Sequence, residues 1–312
     1  YDGGTALAEA ALISLRTHKT ASTVAISCLV HPSHRQIIQT YLRPSKFKLV
    51  EIPATQDGKT DMDALRAMDD IAGVCIQSPN FFGHIEDLAA IRAIADAKSA
   101  MMVVSFTEAL AYGLLKNPGS FGADIVTGEG QSLGINKSFG GPGLGLLAGK
   151  QRLMRHLPGR LVGKTLDANG QRGYVLTLAT REQHIRREKA ASNICSNNGL
   201  CAMIAGIYLA TAGKIGIRKI AQLNHSNAVY LKQVLEAAGL KPVFNALFFN
   251  EFVLKVPDGF KAKHRQLMEN HCILAGLDLE PFYPDMKNHY LFCATETLSK
   301  ADMDQLAKEV QS

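Results

Sequence analysis

An alternation of short apolar runs with amphipathic segments, from residue 24 to residue 127, constrains the fold more than any other feature. Strands are predicted at residues 24–30, 48–52, 73–77, 101–106 and 124–127, and helices at 31–42, 61–68 (capped by Thr60) and 85–98. Strands that alternate with helices form βαβ units, so the pattern predicts a mostly parallel α/β sheet with helices on both faces. In such sheets ligands bind where the carboxyl ends of the strands meet.

Polar residues stand at three of these strand ends, and a further one stands at the start of the chain. Thr5 follows two glycines and precedes an Ala-rich helix expected from residue 6 to about residue 15, where free backbone N–H groups favour an anion. Ordinary capping by Asp2 or Thr5 explains the same residues. The candidate pocket-lining residues are Thr5, Asn80, Ser105, Thr107, Glu108, Glu129 and Gln131.

A Gly/Pro-rich loop follows the strand at residues 124–127 and contains a lysine. Lys137 precedes the glycines of residues 140–143, and a lysine in that position has the chemistry to form a Schiff base with a carbonyl cofactor. A solvated loop lysine is the alternative interpretation. Glu108 and Glu129 have the chemistry of an acid and a base, or are solvated loop carboxylates. Neither a dinucleotide fingerprint, a P-loop nor a Gly-x-Ser-x-Gly elbow is present.

The second half of the chain has a different pattern. Residues 146–180 are predicted to be loop-rich, and a capping box at 180–183 opens a basic helix over 181–189. Further helices run to about residue 210 and over 214–224 and 226–238. From residue 241 the pattern predicts a small α+β domain, which gives a division into residues 1–212 and 213–312. Its strands are expected at 242–244, 251–256 and 290–295, and its helices at 260–272 and, capped by Ser299, 300–310.

Charge and cysteine content exclude several classes. The net charge of +6 is spread along the chain, which argues against a nucleic-acid-binding stripe. Six cysteines without a CxxC motif predict buried free thiols in a reducing compartment. No metal site is expected, because His184 and Glu188, one helical turn apart, are interpreted as a surface ion pair. No signal peptide and no membrane-spanning run is expected. Because the chain begins at Tyr1, we expect it to start within a longer protein.

Long motifs along the whole chain resemble one family. The most specific is TREQHIRREKAASNICSN at residues 180–197, which resembles the signature of the glycine cleavage system P-protein, glycine dehydrogenase (decarboxylating), and more narrowly the alpha subunit of its two-chain bacterial form. The other matching motifs are YDGGTALAEA (1–10), GLLKNPGSFGAD (113–124), GEGQ (128–131), SFGGP (138–142), GRLVG (159–163), RGYVLTL (172–178), NEFV (250–253), NH (288–289) and CATE (293–296).

This resemblance implies a fold-type I pyridoxal-phosphate (PLP) architecture in a bacterial cytoplasmic oxidoreductase. In the family, glycine displaces a lysine from PLP, carbon dioxide leaves, and the aminomethyl group passes to the lipoyl disulfide of the H-protein. The implied partners are a beta subunit, in an alpha2-beta2 heterotetramer, and the lipoylated H-protein.

Two positions depart from the catalytic beta subunit of that family. Aligning the glycine loop on residues 140–143 puts Gln131 in the place of the PLP lysine, and Ser105 near that of the aspartate that pairs with the pyridine nitrogen. The expectation is therefore a subunit without a PLP of its own that completes a site whose lysine belongs to beta. The alternatives are a self-sufficient PLP lyase or aminotransferase that uses Lys137, and a non-catalytic scaffold.

Overall fold

A computed structural model describes residues 1–178, 183–190, 192–194 and 198–311, and its N-terminal half is built on one twisted sheet. The strands are β1 (Thr23–Ser27), β2 (Lys48–Ile52), β3 (Ile71–Gln77), β4 (Met101–Phe106), β5 (Ile125–Glu129) and β6 (Gly145–Gly149). Their order is β2-β1-β3-β4-β5-β6; all neighbours are parallel except β6, which runs antiparallel to β5. The predicted mostly parallel sheet is confirmed.

Four helices accompany this sheet: α1 (Gly3–Thr17), α2 (Pro32–Leu42), α3 (Met62–Ala67) and α4 (Leu88–Ala97). Helix α1 is buried along almost its whole length, and its alanines allow close approach to the strands. Gly73 of β3 permits this contact, because a Cβ there would stand 2.8 Å from the Cβ of Ser14. The N-terminus of α1 is thereby held beside the carboxyl end of β5, where Gly3 contacts Glu129.

The prediction of a loop-rich segment over residues 146–180 was wrong. This segment includes most of β6 and an antiparallel hairpin of β7 (Leu161–Leu166) and β8 (Arg172–Thr177). The residues read as loop, 167–170, form the turn of the hairpin. Because both hairpin strands are largely exposed, they lack the alternating burial that makes a strand recognisable in a sequence.

Helix α6 (Gly199–Ala237) consists of two helical stretches, 199–212 and 214–237, so the predicted break between about residue 210 and residue 214 is confirmed and the predicted break between 224 and 226 was wrong. It is interrupted at Gly213, whose φ of 58° and ψ of −178° are not helical. By length and composition α6 is apolar enough to cross a membrane, contrary to the expectation of no such run, although one helix of this kind is weak evidence. The break leaves only 14 residues, 199–212, before Gly213, fewer than the roughly 20 that a span needs.

The C-terminal part forms a four-stranded sheet in the order β11-β12-β10-β9. Its elements are β9 (Lys241–Pro242), β10 (Glu251–Lys255), α7 (Phe260–His271), β11 (Leu277–Asp278), β12 (His289–Cys293) and α8 (Lys300–Gln311). Gly83, in the loop after β3, lies directly under Glu251: a Cβ there would be 1.9 Å from the Glu251 carbonyl oxygen. This close contact joins the two sheets, together with a shared cluster that includes Phe82 and Val253.

Several local predictions also need correction. Asp61, not Thr60, caps α3 by accepting hydrogen bonds from the N–H groups of residues 63 and 64. Ser299 caps α8 as predicted. The capping box at 180–183 lies mostly outside the described residues; α5 (Gln183–Arg186) and a 3-10 turn (Arg187–Lys189) follow it. Cys75 and Cys201 are buried and Cys28 is half-buried, but Cys272 and Cys293 are exposed, and Cys195 lies outside the described residues.

Candidate functional site

The candidate site is built around the N-terminus of α1, where Asp2 forms a capping box with Thr5. The Asp2 carboxylate accepts hydrogen bonds from the Thr5 N–H at 2.7 Å and the Thr5 hydroxyl at 2.9 Å. The Asp2 N–H donates in turn to the Thr5 hydroxyl at 3.1 Å. Thr5 therefore acts as a helix-capping residue.

Glu129, at the end of β5, binds the same helix terminus with its carboxylate. Its Oε2 accepts a hydrogen bond from the Gly3 N–H at 3.0 Å, and its Oε1 accepts from the N–H groups of Gln131 at 2.9 Å and Leu144 at 2.8 Å. These bonds join three segments of chain: the start of α1, the turn after β5 and the start of β6. One carboxylate thus fixes the Gly/Pro loop of residues 130–144 against the helix.

The arrangement decides between the two readings of this helix terminus. A bound phosphate needs the free N–H groups at the start of a helix. Here the N–H groups of Gly3 and Thr5 already donate to Glu129 and Asp2, which also place two negative charges at this end. The site does not fit a phosphate, and the capping interpretation replaces the predicted anion site.

The two candidate positions for a cofactor-binding lysine are Gln131 and Lys137. Gln131 is partly buried, and its Nε2 donates to the Pro142 carbonyl oxygen at 3.4 Å. Lys137 is exposed on the loop, and its carbonyl accepts hydrogen bonds from the N–H groups of residues 140 and 141. An amide cannot form an imine, and an exposed lysine is not desolvated in the way that activates such a nucleophile.

Ser105 lies at the carboxyl end of β4, beside Thr127 of β5 in the parallel register. Both side chains are completely buried, and neither hydroxyl has a hydrogen-bond partner among the described residues. A serine hydroxyl supplies no negative charge to a protonated ring nitrogen. PLP needs an amine, a negative charge beside its ring nitrogen and free N–H groups for its phosphate. Gln131, Ser105 and the capped start of α1 supply none of these, so these residues do not fit PLP.

Asn80 is buried and fully hydrogen-bonded within the chain. Its amide donates to the Glu86 carboxylate at 2.8 Å and to the Gly58 carbonyl at 3.0 Å, while its Oδ1 accepts from the N–H groups of Phe82 and His84. These four bonds leave nothing for a ligand, so Asn80 shapes the loop after β3. Thr107 is half-buried just after β4.

Glu108 belongs to a group of carboxylates between the two sheets. Its side chain caps a 3-10 turn (Ala109–Gly113) by accepting a hydrogen bond from the Leu110 N–H at 2.8 Å. Burial raises the pKa of Glu108, and the neighbouring charge of Glu296 raises it further. Glu251 is the third member; burial and then the charge of Glu108 raise its pKa to about 7. The sequence pattern indicated Glu108 as a candidate but not Glu251 or Glu296, because no pattern in the sequence shows which residues of the two sheets lie close together.

None of the seven candidate residues lines any of the four cavities of 380 to 540 Å³ found in the described part of the chain. Among the described residues, no group of three or more His, Cys, Asp or Glu side chains is arranged to hold a metal ion. The structure thus brings Thr5, Glu129 and Gln131 together at one helix terminus. It leaves Asn80 and Glu108 in separate hydrogen-bond networks.

The fold is that of the fold-type I PLP enzymes. An apo cysteine desulfurase from Thermococcus onnurineus NA1 superposes with a TM-score of 0.68 at 16% identity, covering 99% of this chain and 77% of the other. An aspartate aminotransferase from Thermus thermophilus gives a TM-score of 0.66 at 15% identity, over 99% and 82% of the two chains. The class is therefore that of proteins with the fold of the PLP enzymes.

Closer relatives identify the family. The chain matches the glycine cleavage system P-protein family over residues 1–310, and it belongs to that family. A probable glycine dehydrogenase (decarboxylating) subunit 1 from Desulfotalea psychrophila is 51% identical over 311 residues, which cover 100% of this chain and 69% of the relative. The Moorella thermoacetica protein of the same name is 46% identical over 98% of this chain and 69% of its own length.

A solved structure agrees with this assignment. The crystal structure of glycine decarboxylase (P-protein) of the glycine cleavage system, in inhibitor-bound form, superposes with a TM-score of 0.92. Sequence identity is 38%, and the match covers 100% of this chain and 70% of the other. The resemblance drawn from the sequence motifs is confirmed.

Proposed function

We propose that this chain is the subunit of glycine decarboxylase that carries no PLP lysine and that acts only with its beta partner. In the reaction of the complex, glycine loses carbon dioxide and its aminomethyl group passes to the lipoyl disulfide of the H-protein. The lipoyl disulfide is reduced as the new C–S bond forms. This chain contributes to a site whose cofactor is bound by beta.

One observation carries this proposal: carboxylates of the chain itself occupy N–H groups at the start of α1, Glu129 that of Gly3 and Asp2 that of Thr5. In a fold of this class those groups are suited to a phosphate, and here they bind a side chain of the protein itself. Gln131, two residues further on, lacks the amine that would hold the cofactor covalently. The two features are independent, since one concerns an anion site and the other a nucleophile.

Purification of the chain alone and with beta tests the proposal. The isolated chain is expected to show no aldimine absorbance near about 420 nm after incubation with PLP. Mixing it with beta and lipoylated H-protein is expected to give glycine-dependent exchange of labelled carbon dioxide. A mixture no more active than beta and H-protein without this chain would contradict the proposal.

The binding surface for beta is inferred from apolar side chains that face solvent. On α6, Ile207 is 62% exposed and Ile215 is 71% exposed. On the hairpin, Val162 is 64% exposed and Tyr174 is 66% exposed. Exposed apolar faces of this kind mark protein interfaces, and the relatives are named as one subunit of a pair. We infer that beta covers α6 and the hairpin, in an alpha2-beta2 assembly in the bacterial cytoplasm.

Charge substitutions test this surface. Ile207→Lys is expected to reduce co-purification with tagged beta by at least tenfold, because it places an unpaired charge in an apolar contact. Leu247→Lys is the matched control, since Leu247 is 80% exposed but belongs to the C-terminal part of the chain. If both variants lost co-purification with beta equally, or if neither lost it, this placement of beta would be contradicted.

The alternative of a self-sufficient PLP enzyme is not favoured. It requires Lys137 as the nucleophile, and Lys137 is exposed on the loop rather than desolvated in a pocket, as an activated lysine would be. Three relatives that cover 98% to 100% of the chain share one name, that of the decarboxylase subunit.

A further inference from the structure

A second site is formed by a cavity of about 540 Å³ in the C-terminal part of the chain. It lies between β12, the end of α7 with the segment that follows it, and α8. Its walls are mainly apolar: Leu231, Phe292 and Met303 form a buried floor, and Leu274 and Leu277, both exposed, stand at its mouth. Ligand sites for small molecules typically have this size and an apolar lining with a few polar groups.

The important polar group in this cavity is the carboxyl of Glu251, at the first residue of β10. No described residue donates a hydrogen bond to it, although the side chain is partly buried. Burial and the neighbouring Glu108 raise its pKa to about 7.

The charges around the cavity have one sign. Of the described residues that line it, two are carboxylic acids, Glu251 and Asp302, and none is a lysine or an arginine. Asp302 is tied to the Ser299 N–H at 3.0 Å and to its hydroxyl. His271, the remaining titratable base, stands 3.7 Å from Glu309. Glu251 is therefore the polar group that a ligand would meet, and its complement is a cation.

We propose that this cavity binds an apolar molecule that carries one protonated amine, with the amine on Glu251 and the hydrocarbon tail against Phe292 and Met303. The cavity shares no lining residue with α1 or with the loop of residues 130–144, so the proposal stands whether or not the chain acts in glycine decarboxylation.

Binding of hexylamine, hexan-1-ol and hexanoate to the full chain tests the proposal by calorimetry. Hexylamine is expected to bind at least about tenfold more tightly than hexan-1-ol, because a charge-assisted hydrogen bond is added to the same tail. Hexanoate is expected to bind more weakly than either. Shortening hexylamine to butylamine is expected to weaken binding by about fourfold for each methylene removed.

Three variants and one NMR probe locate the site. Glu251→Gln is expected to abolish the preference for the amine over the alcohol, whereas Asp302→Asn, the matched control, keeps it. Leu277→Trp at the mouth is expected to weaken all three ligands. Methyl-labelled methionine provides an NMR readout: the Met303 resonance shifts on binding, while Met102, buried in the other sheet, does not.

Equal affinity of amine and alcohol would overturn the proposal. An amine preference that survives in Glu251→Gln, binding that leaves the Met303 resonance unchanged, or no binding of hexylamine at about 10 mM, far above the Kd expected for a built site, would overturn it as well.

Discussion

Replacing Glu129 by alanine tests the central structural feature of this chain, the carboxylate at the start of α1. The substitution removes the acceptor for three backbone N–H groups, at 2.8, 2.9 and 3.0 Å. Hydrogen bonds to a charged group contribute about 1.5–3 kcal/mol each, which gives an upper limit of about 9 kcal/mol. Because Glu129 is only partly buried, water replaces part of this, and we expect a loss of about 3–4 kcal/mol in the free energy of unfolding.

Anion rescue distinguishes this account from a general loss of packing. In Glu129→Ala the N–H groups of Gly3, Gln131 and Leu144 lose their acceptor and become available to an anion. If inorganic phosphate binds there with a Kd of about 5 mM, 50 mM phosphate returns about 1.4 kcal/mol of stability. In the wild-type chain the same groups are occupied, so phosphate is expected to have only its general salting effect.

The measurement is urea unfolding of the full chain with phosphate or with chloride at equal ionic strength. Asp61→Ala is the matched control, because Asp61 also caps a helix, accepting from two N–H groups at 2.9 and 3.0 Å. It is expected to lose about 1 kcal/mol and to gain no more from phosphate than the wild type. A loss below about 1 kcal/mol in Glu129→Ala, or an equal phosphate effect in all three proteins, would refute the reasoning.

Three further substitutions test the packing and the buried charges. Burial opposes ionisation of Asp124, but hydrogen bonds from Lys150, the Met102 N–H, Arg92 and Arg152 outweigh it and hold its pKa below the usual range; Asp124→Asn is therefore expected to cost about 3–5 kcal/mol at pH 7. The stability that this depressed pKa provides is complete above the unfolded value of 3.8 and is lost progressively as the pH falls from there through the lower pKa of the folded chain. The cost of Asp124→Asn is therefore expected to shrink below about pH 4, which acid-unfolding curves of both proteins measure. Burial and Glu108 raise the pKa of Glu251 to about 7, so ionisation destabilises the fold as the pH rises from 4.5 through 7. Glu251→Gln is accordingly expected to be more stable than the wild type at pH 8, but not below pH 4.5. An equal midpoint of unfolding for the two proteins at pH 8 would contradict this prediction. Gly83→Ala is expected to cost more than about 3 kcal/mol in thermal unfolding, because a Cβ would stand 1.9 Å from the Glu251 carbonyl oxygen at a φ of 85°.

The sequence was informative about the sheet because its central strands, β3 and β4, are buried on both faces. Strand β3 is buried at all seven of its residues, and β4 at five of six, so each appears as a continuous apolar run with clear ends. The hairpin of β7 and β8 has mostly exposed residues, and its strands gave no such signal. Hydrophobic patterns indicate burial within the chain, so they do not reveal strands whose apolar side chains are not buried by the chain itself.

The sequence predicted which residues belong to the candidate site, but not how these residues are arranged. Thr5, Glu129 and Gln131 do lie together, since α1 and β5 meet at one edge of the sheet. The sequence did not indicate that Glu129 fills the helix terminus, because this contact joins residues 126 positions apart. The division at residues 212 and 213 stays a prediction; the break of α6 at Gly213 coincides with it.

The most direct test of the central claim is to find where the cofactor is attached in the complex. The chain is mixed with beta and PLP, the imine is reduced with borohydride, and the labelled peptides are identified by mass spectrometry. The account predicts that the pyridoxyl label is found only on beta, and that labelling of beta is unchanged when this chain carries Lys137→Ala. A pyridoxyl group on Lys137, or on any other lysine of this chain in an amount equal to the subunit, would contradict it.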